Sequence, residues 1–258
     1  MKIGCIQIDI AYGKPEINFS KVEQWVQKGA EDGNDVLLLP ELWNTGYDLT
    51  RLDEIADQDA RKSIAFLKDL AKKWEVQLVA GSVANHTANG IKNTLLVFNR
   101  TGELVKTYSK LHLFKLMDEH LHLTAGTEDG HFELEGLPAA GFICYDIRFP
   151  EWIRKHVVEG AQVLFVVAEW PLPRIQHWKS LLVARAIENQ AFVVACNRVG
   201  EDPANTFGGH SLIIDPWGEI LSEGGTDEEI VSADVDFSVI EDIRKRIPIF
   251  EDRRPDFY

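Results

Sequence analysis

Apolar residues alternate along the chain between short unbroken runs and segments with helical spacing. The unbroken runs, at residues 36–39, 163–168 and 192–195, have the pattern of strands covered on both faces. Residues 2–10 read as a further strand with both faces partly buried. Helical spacing recurs between them. Val22, Trp25, Val26 and Gly29 share one face of a first helix, with Asn18 or Ser20 as candidate N-caps and Gly33 as the stop. Ile64, Leu67, Ala71 and Trp74 mark a second over about 59–74. A third runs from Pro150 to about Glu159 and is stopped by Gly160. Ile175, Trp178, Leu182 and Ala186 mark a fourth, ending near Asn189.

The middle of the chain has a different texture. Residues 77–83, 94–99 and 104–108 read as strands joined through Asn89-Gly90 and Thr101-Gly102, which predicts a hairpin or meander. Residues 110–123 have no clean period and read as a loop with one helical turn; irregular stretches of this length are often functional. Strands at 132–134 and 139–143 lead to Cys144. Strands at 210–214 and 230–235 complete the set, with Pro216-Trp217-Gly218 as a turn between them. Strands and helices interleave without repeat or linker, so the economical organisation is one α/β domain over residues 1–236 followed by a charged C-terminal arm at 237–258.

Composition narrows the class. The 258 residues are 45% apolar and 26% charged, enough for a sizeable core. No run of about 18 apolar residues predicts a membrane span. MKIGCIQIDI lacks a long apolar stretch with a small-residue cleavage site, so no signal peptide is expected. Three cysteines, at positions 5, 144 and 196, form neither a CxxC pair nor an even framework, which fits a reducing cytoplasm. The net charge of −14 disfavours nucleic acid and anionic membranes as partners. It leaves open an anionic small molecule held by local arginines.

Three buried runs end in residues that carry chemistry. Glu41 follows VLLLP, Lys110 follows the 104–108 strand, and Cys144 follows GFI. A cysteine at a strand end, before a turn and Pro150, is placed to enter a cleft, and a helix N-terminus there would favour its thiolate. The three are complementary: a cysteine attacks, a glutamate takes its proton, and a lysine ammonium with the N–H of Tyr145 holds an oxyanion. Each alone also reads as an ordinary loop acid, a solvated lysine or a small buried thiol.

LLLPELW around Glu41, YSKLHLF around Lys110 and ICYDIRFPEW around Cys144 resemble, in order and flanks, the three signatures of the nitrilase superfamily of carbon–nitrogen hydrolases. The resemblance runs nearly end to end. It implies a four-layer α-β-β-α sandwich that pairs into an eight-layer homodimer or a higher homo-oligomer, and a Glu41–Lys110–Cys144 triad. It adds Glu119, five residues before Thr124 in EHLHLTAG, as an acid that holds Lys110. Arg185 and Glu188 in ARAIENQ match a helix motif read as a structural ion pair. LMDEHLHLTAG and AEWPLPRIQHWKSLLVARAIENQ resemble the omega-amidases, nearest the bacterial branch linked to methionine salvage. That implies hydrolysis of the terminal amide of 2-oxoglutaramate or 2-oxosuccinamate without metal or organic cofactor. Such a substrate needs a cationic clamp, for which Arg148 and Arg174 are candidates. Trp43, Tyr47, Tyr145 and Trp170 are candidate pocket walls. In this picture the arm at 237–258 packs on the partner subunit.

Rival readings differ in chemistry. Asp118, Glu119, His120 and His122 would have to ligate zinc in a metal hydrolase, but the H-x-H spacing lacks a second ligand group. Another amidase or a carbamoyl-amine hydrolase would keep the triad; a binding protein would keep only the fold. No GxSxG elbow is present, since Gly209-His210-Ser211 continues as Leu-Ile.

Overall fold

A computed structural model describes residues 1–257. Two sheets face each other. The first contains β1 (Lys2–Gln7), β2 (Val36–Leu38), β3 (Asp57–Gln58), β4 (Gln77–Thr87), β5 (Gly90–Phe98) and β6 (Leu104–Ser109). The second contains β7 (His131–Leu134), β8 (Leu137–Ile143), β9 (Val163–Ala168) and β10 (Phe192–Asn197). After a small separate hairpin, β11 (Val199–Glu201) with β12 (Thr206–Gly208), the strands β13 (Leu212–Ile214) and β14 (Ile220–Glu223) extend the second sheet. β15 (Glu229–Asp234) returns to pair antiparallel with β1. The orders are β15-β1-β2-β4-β5-β6, with β3 beside β4, and β14-β13-β10-β9-β8-β7.

Helices cover both outer faces. α1 (Pro15–Glu31) and, after the short α2 (Leu52–Ile55), α3 (Arg61–Trp74) lie on the first sheet. Beyond the single-turn α4 (Glu119–His122), α5 (Pro150–Val158) and α6 (Ile175–Asn189) cover the second. This is the four-layer α-β-β-α sandwich. Its parallel strands β1, β2, β4, β8, β9 and β10 are the runs with apolar residues on both faces. One face meets the other sheet, through contacts such as Leu95 on Gly141, and the other meets the helices.

Differences from the sequence-based expectations have local causes. Helix α1 begins at Pro15 rather than at an Asn18 or Ser20 cap, because proline at the first position is already set for the helix. Asn18 is instead buried, tying Ala11 and Asn44 together through its side chain. The β11–β12 hairpin and β14 were missed; they are three or four residues long and half exposed, too short to show a period.

The stretch expected to form an arm on a partner subunit packs, in its first half, on its own chain. Helix α7 (Val239–Arg246) buries Ile240 and Ile243, Phe237 sits edge-on to Phe192 at 5.2 Å, and Gln190 donates to the carbonyl of Ile247 at 2.8 Å. The core thus continues past residue 236. Ile240→Ala should cost about 2–4 kcal/mol of unfolding free energy, measured by urea denaturation. An unchanged midpoint would mean that α7 is not part of the core.

Candidate active site

Glu41 leaves the first sheet just beyond β2. A bulge in β4 clamps this turn: Ser82 N–H donates to the carbonyl of Pro40 at 3.2 Å, and Leu42 and Trp43 N–H donate to Ser82 Oγ at 2.9 Å and its carbonyl at 3.0 Å. Gly81, at φ +60°, makes the approach possible; a Cβ there would lie 2.1 Å from the Pro40 carbonyl oxygen. Lys110 follows β6 and is anchored by its N–H to the carbonyl of Asn93 at 2.8 Å. Glu119 opens α4 and accepts the Phe114 N–H through Oε2 at 2.7 Å.

Cys144 is the first residue after β8. Its φ of +45° is the left-handed region, rarely adopted by a residue with a Cβ and often a mark of function. It begins a 3-10 turn, Cys144–Arg148, before α5. Asp146 pins that turn. It accepts the N–H of Ile143 at 3.0 Å, the hydroxyl of Tyr108 at 2.8 Å and the N–H of His112 at 3.1 Å. Arg185 supports it from α6, donating to the Ile147 carbonyl at 2.9 Å and pairing with Glu188 at 2.7 Å. That is the structural ion pair expected from ARAIENQ.

The side chains converge. The Lys110 ammonium, with no exposure, donates to Glu41 Oε1 at 2.9 Å and to Glu119 Oε1 at 2.5 Å. Asn93 Nδ2 donates to Glu41 Oε1 at 2.7 Å, and the N–H of Glu169 donates to Oε2 at 2.9 Å. Tyr47 donates its hydroxyl to Glu119 and lies 3.4 Å from Glu41 Oε1. Glu41 is, after burial, the strongest influence on the Cys144 thiol.

Burial and charge set the protonation states. Burial pulls Lys110 down, but Glu119 and Glu41 outweigh it and hold it well above the usual lysine range, so it stays an ammonium. Glu119 is raised by burial despite Lys110. Burial and then Glu41 push the Cys144 thiol well above its usual value. The sequence suggested a thiolate favoured by a helix N-terminus. The structure corrects this: the 3-10 turn separates Cys144 from the start of α5, and burial, reinforced by Glu41, raises the thiol. At rest Cys144 is a neutral thiol close to Glu41.

A narrow cleft of about 10 Å³ opens over Cys144, bordered by Phe114, Met117, Tyr145, Arg148, Glu169, Trp170, Pro171 and Arg174. Arg148 lies over the Trp170 ring at 4.9 Å, and Arg174 over the Phe114 ring at 5.5 Å. Among the described residues, neither guanidinium pairs with a carboxylate. Tyr145, Trp170 and both arginines are therefore where the sequence places them, and Tyr47 stands at the acid cluster. Trp43 is not. It is fully buried under the first sheet, 4.9 Å from the Phe19 ring, with Nε1 donating to the carbonyl of Ala80 at 2.9 Å. The sharp turn at Leu42, φ +43°, sends it away from the cleft. The rival zinc set is not assembled either: both Glu119 oxygens are engaged, and His120 is exposed.

Asn93, Asp146, Glu169 and Arg198 were missed. Only Glu169 had a signal, as a charged residue ending an all-apolar strand.

A family model described as carbon-nitrogen hydrolase matches residues 2–245. The chain belongs to the carbon–nitrogen hydrolase family. It is 57% identical over 256 residues to "2-oxoglutaramate amidase" of Bacillus subtilis (strain 168), covering 99% of this chain and 98% of that protein. It is 30% identical over 266 residues to "Omega-amidase NIT2" of Homo sapiens, covering 100% and 96%. Among solved structures, the CN-hydrolase superfamily protein XC1258 from Xanthomonas campestris, described with an arsenic adduct in its active site, superposes with a TM-score of 0.92 at 31% identity. That match covers 98% of this chain and 97% of that one.

Two outcomes check this geometry. Alkylation of Cys144 by iodoacetamide should accelerate with rising pH and show no plateau below about pH 8.5, the ordinary thiol value, because burial and Glu41 raise its pKa. A plateau at neutral pH would contradict the neutral thiol. Gly81→Ala forces Pro40 and Glu41 to move, and kcat should fall at least about 100-fold, the effect of about 1 Å of misplacement. Unaltered kcat would show that the bulge does not position Glu41.

Proposed function

We propose that this carbon–nitrogen hydrolase is an omega-amidase that hydrolyses the terminal amide of a small 2-oxo dicarboxylic acid monoamide, 2-oxoglutaramate or 2-oxosuccinamate. The observation that carries this reading is the pair of arginines without carboxylate partners in the same small cleft as the thiol. One end of the cleft suits an anion, and Cys144 stands where an amide carbon would be attacked. The relatives named 2-oxoglutaramate amidase and omega-amidase support the same substrate class.

The reaction proceeds in two halves. Glu41 takes the thiol proton as Cys144 Sγ bonds to the amide carbon. The Lys110 ammonium and the Tyr145 N–H hold the oxyanion. Glu41 then gives the proton to the departing nitrogen; the C–N bond breaks, ammonia leaves and a thioester remains. Water enters, loses a proton to Glu41 and attacks the thioester. The C–S bond breaks, the sulfur is reprotonated and the dicarboxylate departs. Glu119 fixes Lys110 on its other side, so the ammonium needs no reorganisation when negative charge develops. The chain supplies every group in this scheme.

Ammonia release from 2-oxoglutaramate, with glutamine and asparagine in parallel, tests the reading. Release from the oxo-acid amide alone, abolished by Cys144→Ala, is expected. Arg148→Ala or Arg174→Ala should raise KM about tenfold or more, the size of a lost charged hydrogen bond. No release from any of the three, with Cys144 still alkylated, would leave a hydrolase of other specificity, such as a carbamoyl-amine hydrolase.

A further inference from the structure

Strand β9 is apolar throughout, yet it is followed at once by Glu169, whose side chain has no exposure. Oε2 of this carboxyl accepts Nη1 of the equally buried Arg198 at 2.9 Å. Oε1 is buried and, among the described residues, has no hydrogen-bond partner. Glu169 lines the cleft that holds Cys144, Arg148 and Arg174, and its backbone N–H holds Glu41. A buried carboxyl oxygen left unpaired is costly unless a ligand completes it.

We propose that Glu169 is a specificity-determining residue whose free Oε1 donates a hydrogen bond to the 2-oxo-carboxylate end of the substrate. This rests on the proposed omega-amidase reading. Arg198 faces Glu169 from the end of β10 and occupies Oε2, so a proton on the carboxyl stands on Oε1. Arg148 and Arg174 face it across the cleft, beside Cys144 and Tyr145. Glu41 and Asp202 add negative charge around it. Burial raises its pKa to about 8, against the pull of Arg198. The neutral acid then predominates at neutral pH, as a donor that does not repel an anion. As pH rises through about 8, Oε1 loses its proton. The donor becomes an acceptor, and the cleft gains a negative charge that opposes both arginines.

The test is calorimetric binding of 2-oxoglutarate, the product of the proposed reaction, from about pH 6.5 to about pH 9.5, spanning the shifted carboxyl. The wild type should lose affinity above about pH 8, approaching about tenfold per unit. E169Q keeps a donor at every pH and should bind as the wild type does at neutral pH, without the alkaline loss. E169L should bind about tenfold or more weakly throughout. An E169Q variant that keeps the wild-type alkaline loss, or an E169L variant that binds like the wild type, would overturn the proposal. Infrared spectroscopy of the wild-type protein supplies a readout that needs neither a variant nor the substrate assignment. A protonated-carboxyl band that titrates near pH 8 and is absent from E169Q supports the proposal; its absence from the wild type overturns it. If 2-oxoglutarate does not bind the wild type at all, the substrate reading fails, and the infrared result alone decides the protonation of Glu169.

Discussion

The candidate active site depends on one ammonium held in a dry place by two carboxylates. Lys110 has no exposure and touches both Glu41 and Glu119. None of the three would remain charged alone at this depth. Removing one partner from such a buried arrangement typically costs about 3–5 kcal/mol, because the others are left uncompensated. The surrounding hydrogen bonds follow from this constraint. Asn93, Tyr47 and the N–H groups of Phe114 and Glu169 all point at the two carboxylates. They fix the position of each oxygen before any substrate arrives, so little reorganisation is left for the reaction itself.

A second consequence concerns charge at two scales. The chain as a whole is strongly acidic, at −14, yet the cleft over Cys144 presents two arginines. The net charge opposes anions in general, while the two arginines place positive charge beside Cys144. Arg198, in contrast, is saturated. Glu169, Asp9 and backbone carbonyls take its donors, so it serves the architecture and not the ligand.

Much of this architecture is legible in the order of the residues alone. The continuous apolar runs became parallel strands because helices or the second sheet cover both of their faces, and the residues that ended those runs became the site. Glu41 and Cys144 were visible as interruptions of an apolar pattern, and Lys110 as a charge at the end of a strand. Glu119 was not: it lies in an irregular loop, and only the resemblance of its flanks marked it. Asn93 sits inside a strand among other polar residues, where nothing separates a hydrogen-bond donor to a catalytic acid from an ordinary solvated asparagine. Trp43 was misplaced because an aromatic two residues from an active-site acid is a natural pocket wall unless the chain turns sharply between them, as it does at Leu42. The protonation state of Cys144 was also beyond a linear reading. It depends on burial and on Glu41, a residue far away along the chain.

The four central residues come from two different layers. Glu41 and Lys110 follow strands of the first sheet; Cys144 and Glu169 follow strands of the second. The site therefore has no scaffold of its own, because it is the seam between the layers. Any slippage of one sheet over the other separates Cys144 from Glu41 while every strand and helix is still intact. Catalysis is then the most sensitive gauge of how the two halves of this molecule are registered, and whatever tightens the seam protects the chemistry first and the fold second.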